Sequence, residues 1–411
     1  AHQGRVEGRR VAGVSLCRPI LPLLLALPVA CSQSSGTGAE GGGISPPQDV
    51  VLAPTPPMGF NTWNRFGCDV SDELVRGMAD AMVSSGMRDV GYEYVVIDDC
   101  WQVDRDANGE IVVDPERFPS GMRALADYVH SKGLKFGIYS DAGTATCQGR
   151  PGSRGHEFQD ARTYAAWGVD YLKYDWCNHG TQDPEASYRT MRSALEAAGR
   201  PIVFSICEWG SNRPWLWAGG MGHLWSTTSD ILICFDCRVD WGGMGFIHIL
   251  DLQDGLETYA GPGGWNDPDM LQVGNDGLTD SEAKAHFSLW AILAAPLMAG
   301  NDIRSMSPVI REILTNHEVL AVNQDPLGRQ GRRVSSQGDV EAWARELYDG
   351  SRAVVLFNRG DSDADMGISW PEIGYPARLT ASIRDLWRHE ELGRFAGGWS
   401  VRVPSHGAVM I

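Results

Sequence analysis

The chain has 411 residues, with 35 Lys+Arg against 52 Asp+Glu and a formal net charge of −17; 43% of residues are hydrophobic and 21% charged. Such a composition is globular and excludes a largely disordered chain. The acidic excess repels phosphate backbones, and no basic run offsets it, so nucleic acid is excluded as a partner class.

Arg9 and Arg10 precede an apolar stretch, residues 19–30 (PILPLLLALPVA), that ends at Cys31. That stretch is too short to span a bilayer and has the length of a secretory h-region. The polar run SQSSGTGAEGGG follows Cys31. The whole resembles a bacterial lipoprotein leader with Cys31 as the lipidated residue, and an ordinary cleaved signal peptide is the alternative. Residues 1–31 therefore read as an export leader and 32–55 as a flexible linker. The expected location is outside the cytoplasm, as a surface lipoprotein tethered through Cys31 or as a secreted protein.

From there a repeated unit takes over. GYEYVVIDD (91–99), GLKFGIYSD (133–141), GVDYLKYD (168–175) and GRPIVFSICE (199–208) share one plan. Each begins at a glycine that ends a helix-like stretch, continues as an apolar strand and closes on an acid. The stretches between are amphipathic, with Leu74, Met78 and Met82 in one and Met122, Leu125, Ala126 and Val129 in the next. Alternation of this kind predicts a parallel sheet. Carboxylates at successive strand ends, without a GxGxxG after the first strand, favour a closed (β/α)8 barrel over an open dinucleotide fold. Residues 57–63, 224–227, 265–271 and 294–300 complete the eight strands of a barrel at 56–324. The uncharged run 287–300 is too short for a membrane helix and reads as a buried helix-to-strand passage. After Asp325-Pro326 the helical period is lost. Short alternating runs such as VEAWARELY and AVVLFNRG predict an antiparallel β-sandwich over 325–411.

Several strand ends carry chemistry. Lys173 and Asp175 are two apart, so both face the barrel interior. A neighbouring ammonium favours the ionised carboxylate, which is what a glycosidase nucleophile requires, although a structural ion pair has the same spacing. Asp98 and Asp99 can accept hydrogen bonds from vicinal hydroxyls, and the indole of Trp101 can pack on a sugar ring. An octahedral metal site is the alternative, disfavoured because no histidines stand at ligand spacing. Asp104-x-Asp106-x-Asn108-Gly109 begins like a calcium loop but has Pro115 where the bidentate acid belongs, so a hairpin turn is the better reading. Phosphate-loop, GxSxG and HExxH patterns are missing from the sequence, so neither metal nor cofactor is expected. Beyond Cys17 and Cys31 seven cysteines remain, which allows three disulfides and one free thiol. Cys234-x-x-Cys237 reads as a short-loop disulfide rather than half a zinc site.

MGFNTW (58–63), VVIDDCW (95–101), FGIYSDAG (136–143), YLKYDWC (171–177), CEWG (207–210) and WNDPDML (265–271) occur in this order. Together they closely resemble glycoside hydrolase family 27, the α-galactosidase family of clan D, over roughly residues 55–411. The resemblance implies a retaining exo-α-galactosidase that takes oligosaccharides or polysaccharides with terminal α-galactose. It assigns Asp175 as nucleophile and Asp230 as general acid/base. Asp98 and Asp99 would hold sugar hydroxyls, Trp63 would pack on the ring, and Tyr139 and Lys173 would line the pocket. Cys207, Glu208 and Trp209 would surround the 2-position, and Asp269 and Met270 would close the floor. The resemblance also implies Cys68–Cys100 and Cys147–Cys177 disulfides, which leaves Cys234 to pair with Cys237 and Cys207 free. One departure stands out: Ser226 occupies the place where the family usually has arginine. It keeps other specificities open, namely β-L-arabinopyranosidase, α-N-acetylgalactosaminidase or an isomaltodextran-cleaving enzyme, as well as an impaired galactose-binding homologue. Trp209 argues against an N-acetyl group, and Asp99 argues for a hexose with a free O6.

Overall fold

The computed structural model describes residues 51–411; the leader, with Cys31, lies outside the described residues. Eight parallel strands form one sheet: β1 (Met58–Asn61), β2 (Tyr94–Val96), β3 (Lys135–Asp141), β4 (Tyr171–Asp175), β5 (Val203–Ile206), β6 (Leu224–Ser226), β7 (Trp265–Asp267) and β8 (Leu297–Ala299). Their order is β8-β1-β2-β3-β4-β5-β6-β7. Leu271 closes the ring: it bridges to Ala299, and its amide donates to the Met298 carbonyl at 2.8 Å. The expected barrel is therefore present.

Local chemistry explains the connections. The helix Pro184–Ala198 starts with an Asp183 side chain that accepts from the Ala186 amide, and with proline in its first turn. It ends at Gly199, φ 74°, a left-handed cap that glycine adopts without steric cost. Gly168, φ 86°, caps the helix Glu157–Trp167 in the same way. The helix Gly121–Ser131 buries Met122, Leu125, Ala126 and Val129, the stripe its spacing predicts.

Strand alternation sorts the side chains into two cores. Phe136, Ile138, Leu172, Tyr174, Phe204 and Ile206 face the helices. Tyr94, Val96, Tyr171, Val203, Leu224, Trp265 and Met298 fill the barrel interior. Register pairs Tyr139 with Lys173 and Asp141 with Asp175. Lys173 is also paired with Ser205. Inward-facing polar groups thus stand in layers above the apolar plug, toward the carboxyl ends of the strands.

Beyond β2 the chain forms a hairpin, Gln102–Arg105 with Ile111–Val113, around the turn 106–109. Arg105 clamps it to the barrel through two bonds to the fully buried Asp160, at 2.8 and 2.6 Å. The strand expected over 265–271 ends at Asp267, because Asp269 adopts φ 74° and breaks the extended backbone. Two helices outside the expected elements, Pro308–Thr315 and His317–Asn323, complete the barrel region, each started by a capping side chain, Ser307 or Asn316.

The sandwich begins at Arg332. A four-stranded sheet has the order β9 (Arg332–Gln337), β10 (Val340–Glu346), β11 (Arg352–Asn358) and β16 (Ala408–Met410). Two antiparallel pairs accompany it: β12 (Ala364–Ser369) with β15 (Gly398–Val403), and β13 (Thr380–Asp385) with β14 (Glu390–Ala396). Trp343, Val355, Phe357 and Met410 belong to the same apolar cluster as the barrel helices, so the two parts share a core. Polar ties reinforce it. Arg359 forks onto Asp251 at 2.9 and 3.1 Å, and the Trp387 indole donates to Ser288. Buried Arg345 donates to the Ala291 carbonyl in the last turn of the helix Asp280–Ile292, where a cation offsets the negative end of the helix dipole.

Candidate active site

The strand ends converge on one cleft. Trp63, Asp98, Asp99, Tyr139, Lys173, Asp175, Cys207, Trp209, Ser229, Asp230 and Trp241 line a cavity of about 230 Å³, walled on one side by Cys147 and Cys177. Ser226, Asp267, Asp269 and Met270 line a deeper pocket below it, together with Asn61. Lys173 is the one cation among these lining residues.

Several lining residues depend on backbone that L-residues rarely adopt. Cys100 (φ 80°), Asn178 (φ 47°), Trp209 (φ 60°) and Asp269 (φ 74°) each lie two to four residues beyond a barrel strand. Such strain persists only where the surroundings hold it, and it concentrates at functional sites. Beside these turns stand Asp99, Asp175, Trp209 and Asp269, which line the mouth.

Hydrogen bonds fix the carboxylates. Asp98 Oδ2 accepts from Lys173 Nζ and from Asn61 Nδ2, both at 2.8 Å, while its Oδ1 accepts from the Asp99 amide at 2.9 Å. Asp99 accepts from the amides of Cys100 and Gln148 at 2.6 and 3.1 Å. Asp175 Oδ2 accepts from the Tyr139 hydroxyl at 2.8 Å, and Oδ1 accepts from the Trp176 amide at 2.9 Å. Asp269 accepts from the Ile231 and Met270 amides at 2.7 and 2.8 Å. The Ile231 bond ties the floor acid to the neighbour of Asp230.

The Lys173 ammonium favours the charged form of Asp175 through space, as expected, while its hydrogen bond goes to Asp98 beyond the end of β2. Two expectations are corrected. Trp101 is fully buried: it donates to the Tyr139 carbonyl and packs edge-on against Tyr164 and Trp167. The positive φ at Cys100 turns the chain off the strand direction, and this indole packs in the core against the helix Glu157–Trp167. Glu208 is fully buried as well. It accepts from the amide and side chain of Asn212, both at 2.8 Å, and does not line the cleft. Asn61, Asp267, Ser229 and Trp241 are site residues that sequence reasoning missed.

Cys68–Cys100, Cys147–Cys177 and Cys234–Cys237 are bonded, and Cys207 is the free cysteine among the described residues. Asp141, Cys147, Asp175 and Cys177 cluster in the manner of metal ligands, but the disulfide removes both thiolates. Cys147 Sγ lies 3.2 Å from Asp175 Oδ2. A Cβ on Gly143 would lie 2.0 Å from the Cys177 carbonyl, so only glycine lets the two bridged segments approach this closely.

Electrostatics separate the two central acids. Burial pushes the Asp175 carboxyl up to about 6, opposed by Lys173 and by the bonds from Tyr139 and Trp176. Burial pushes Asp230 up to about 7, and repulsion from Asp269 adds to it. For Lys173, burial works against the charge, but Asp98, Asp175 and Asp269 outweigh it and hold the ammonium protonated. One acid is held by donors to its charged form. Burial raises both and Lys173 opposes it at both; at Asp230 the second cause is repulsion from Asp269. These surroundings favour the charged form more at Asp175 than at Asp230.

A carboxylate pair at the mouth of a (β/α)8 barrel, flanked by further aspartates and aromatic faces, is the arrangement of a glycosidase. Comparison gives the family. Residues 55–325 match the family described as "Alpha galactosidase A", and 337–411 match its C-terminal β-sandwich domain. The chain is 52% identical over 374 residues to an α-galactosidase A of Cellvibrio japonicus, covering 88% of this chain and 92% of that protein. A crystal structure of α-galactosidase I from Mortierella vinacea superposes with a TM-score of 0.86 at 38% identity, covering 88% of this chain and 98% of that one. An α-galactosidase from Saccharomyces cerevisiae with raffinose superposes at 0.83 and 31% identity, covering 87% and 97%. The chain belongs to the α-galactosidase family and is a glycoside hydrolase.

Ser226 acquires a role of its own in this setting. Its hydroxyl oxygen accepts from the Trp209 amide at 2.8 Å, and so holds a residue in left-handed backbone. Arginine has no acceptor and could not make this bond. Ser226→Ala should therefore cost about 1–3 kcal/mol in urea unfolding, while Ser226→Thr keeps the hydroxyl and most of the stability. Equal midpoints for wild type and Ser226→Ala would show that the bond does not hold Trp209.

Proposed function

We propose that the protein is a retaining, exo-acting α-galactosidase that releases terminal α-galactosyl residues from oligosaccharides by double displacement. The observation that carries this reading is that Asp175 and Asp230 line one cleft, with Asp175 accepting hydrogen bonds from the Tyr139 hydroxyl and the Trp176 amide. Asp175 attacks the anomeric carbon and forms a β-linked glycosyl-enzyme as the glycosidic bond breaks. Asp230 donates its proton to the departing oxygen. It then takes a proton from the water that attacks the glycosyl-enzyme, and the product keeps the α configuration. Asp98, held by Lys173 and Asn61, and Asp99, held by the Gln148 amide, receive the sugar hydroxyls, and Trp63 packs on the ring. The raffinose-bound yeast relative supports a galactosyl oligosaccharide as the substrate kind. Retained Asp99 supports galactose over arabinopyranose. Proton NMR of the first-formed sugar tests the mechanism: it should appear as the α-anomer, and a β-anomer preceding mutarotation would overturn both roles.

The pH profile follows from the same pair. Activity requires Asp175 ionised and Asp230 protonated. The kcat/KM profile should fall as pH drops through about 6 and again as it rises through about 7, with limbs that belong to the coupled pair. Tyr139→Phe removes a bond to the charged form of Asp175, raises its pKa and should shift the acid limb to higher pH. An acid limb that stays in place or moves down would contradict the assignment.

We also propose that the protein is exported and tethered through a lipidated Cys31. Three disulfides among the described residues support an oxidising compartment. Cell fractionation should place the protein with membranes and Cys31→Ser in the soluble fraction; a wild-type protein that fractionates as soluble would exclude the tether.

A further inference from the structure

Beyond Asp230 the chain makes an excursion and returns. Cys234 and Cys237 close its base with a disulfide. Residues 239–243 form a tight turn, with the Val239 amide donating to Gly243 and the Gly242 amide donating to Val239, both at 3.0 Å. The returning segment then meets the outgoing one in an isolated bridge: the Met244 amide donates to the Asp230 carbonyl at 3.1 Å, and the Leu232 amide donates to the Met244 carbonyl at 2.8 Å. Trp241 is at the tip of this turn. It is 62% exposed, yet it lines the cleft beside Ser229 and Asp230. Its indole lies across Gly243, where an added Cβ would sit 2.4 Å from the ring. A large apolar ring is thus presented to solvent at the edge of a cavity otherwise rich in carboxylates, on backbone hydrogen-bonded to Asp230 itself.

We propose that Trp241 is the platform for the sugar bonded to the departing oxygen. The inference rests on Asp230 as proton donor. A donor must lie within hydrogen-bond reach of the glycosidic oxygen. Whatever lies on the far side of that oxygen is then carried out over the backbone around Asp230, where the turn holds the indole. A pyranose offers a flat C–H face, and an indole packs on such a face with more contact than any other side chain. Methyl and fluoride leaving groups offer no such face.

The test compares wild type, Trp241→Ala and Trp241→Phe on an α-galactosyl-pyranose disaccharide, methyl α-galactoside and α-galactosyl fluoride. The quantity read is the kcat/KM for the disaccharide divided by that for methyl α-galactoside. It should fall about tenfold in Trp241→Ala and recover to within about threefold of wild type in Trp241→Phe. An unchanged ratio overturns the proposal, whether all rates hold or all fall together. Failure of the proton-donor reading is seen separately. Asp230→Asn should retain glycosyl-enzyme formation from the fluoride, which leaves without a proton, and lose the methyl glycoside; equal loss on both would remove Asp230 from that role without altering the Trp241 ratio.

Discussion

The site is organised around one ammonium among many acids. Lys173 projects from the middle of β4 into a mouth where Asp98, Asp175, Asp230, Asp267 and Asp269 all gather. Carboxylates this close and this buried cannot all be ionised together. The structure resolves the conflict by unequal distribution. Asp98 takes the ammonium directly, at 2.8 Å. Asp175 takes a phenol and an amide. Burial raises Asp267 to about 7, with Asp269 adding to it. The chemical difference between neighbouring aspartates is thus a difference in what each is given to bind.

Backbone strain supplies the geometry that makes this distribution possible. A regular βα connection would carry the residue after the strand away from the axis. The left-handed residues at Cys100, Trp209 and Asp269 fold it back. Each is then held by a specific bond: the Asp99 carboxylate accepts the Cys100 amide, Ser226 accepts the Trp209 amide, and Asp267 accepts the Asp269 amide. The sandwich contributes from a distance. It packs on the helix Asp280–Ile292, whose Trp290 indole donates to the Asp269 carbonyl, so the pocket floor and the barrel–sandwich core share one element.

Much of this was legible in the sequence because it is periodic. Glycine, apolar strand and acid recur in phase with the βα repeat, and the acids so marked at Asp98, Asp99 and Asp175 do meet in one cleft. The passage from buried helix to β8 followed from an uncharged run of fitting length. The partner of Lys173 could not be read, since Asp98 is 75 residues away and nothing in local spacing selects it over Asp175. Trp101 misled because a period-2 reading carries the strand direction forward, whereas a single positive φ at Cys100 reverses it. Glu208 misled for a related reason: it closes its strand like the other acids, but the turn at Trp209 sends it inward, to Asn212. Trp241 left no signal, because an exposed aromatic at a turn gains meaning only from what the turn is bonded to.

The Cys147–Cys177 bridge ties catalysis to redox chemistry. The segments it joins supply the Gln148 amide that holds Asp99 and the Cys177 amide that holds Asp141. Cys147 and Cys177 belong to none of the apolar clusters, so the contacts their bridge supports come from outside the hydrophobic core. A chain that kept these two thiols reduced would lack the covalent tie between the segments that carry the Gln148 and Cys177 amides. The cleft thus depends on an electron acceptor for a tie that packing alone does not supply.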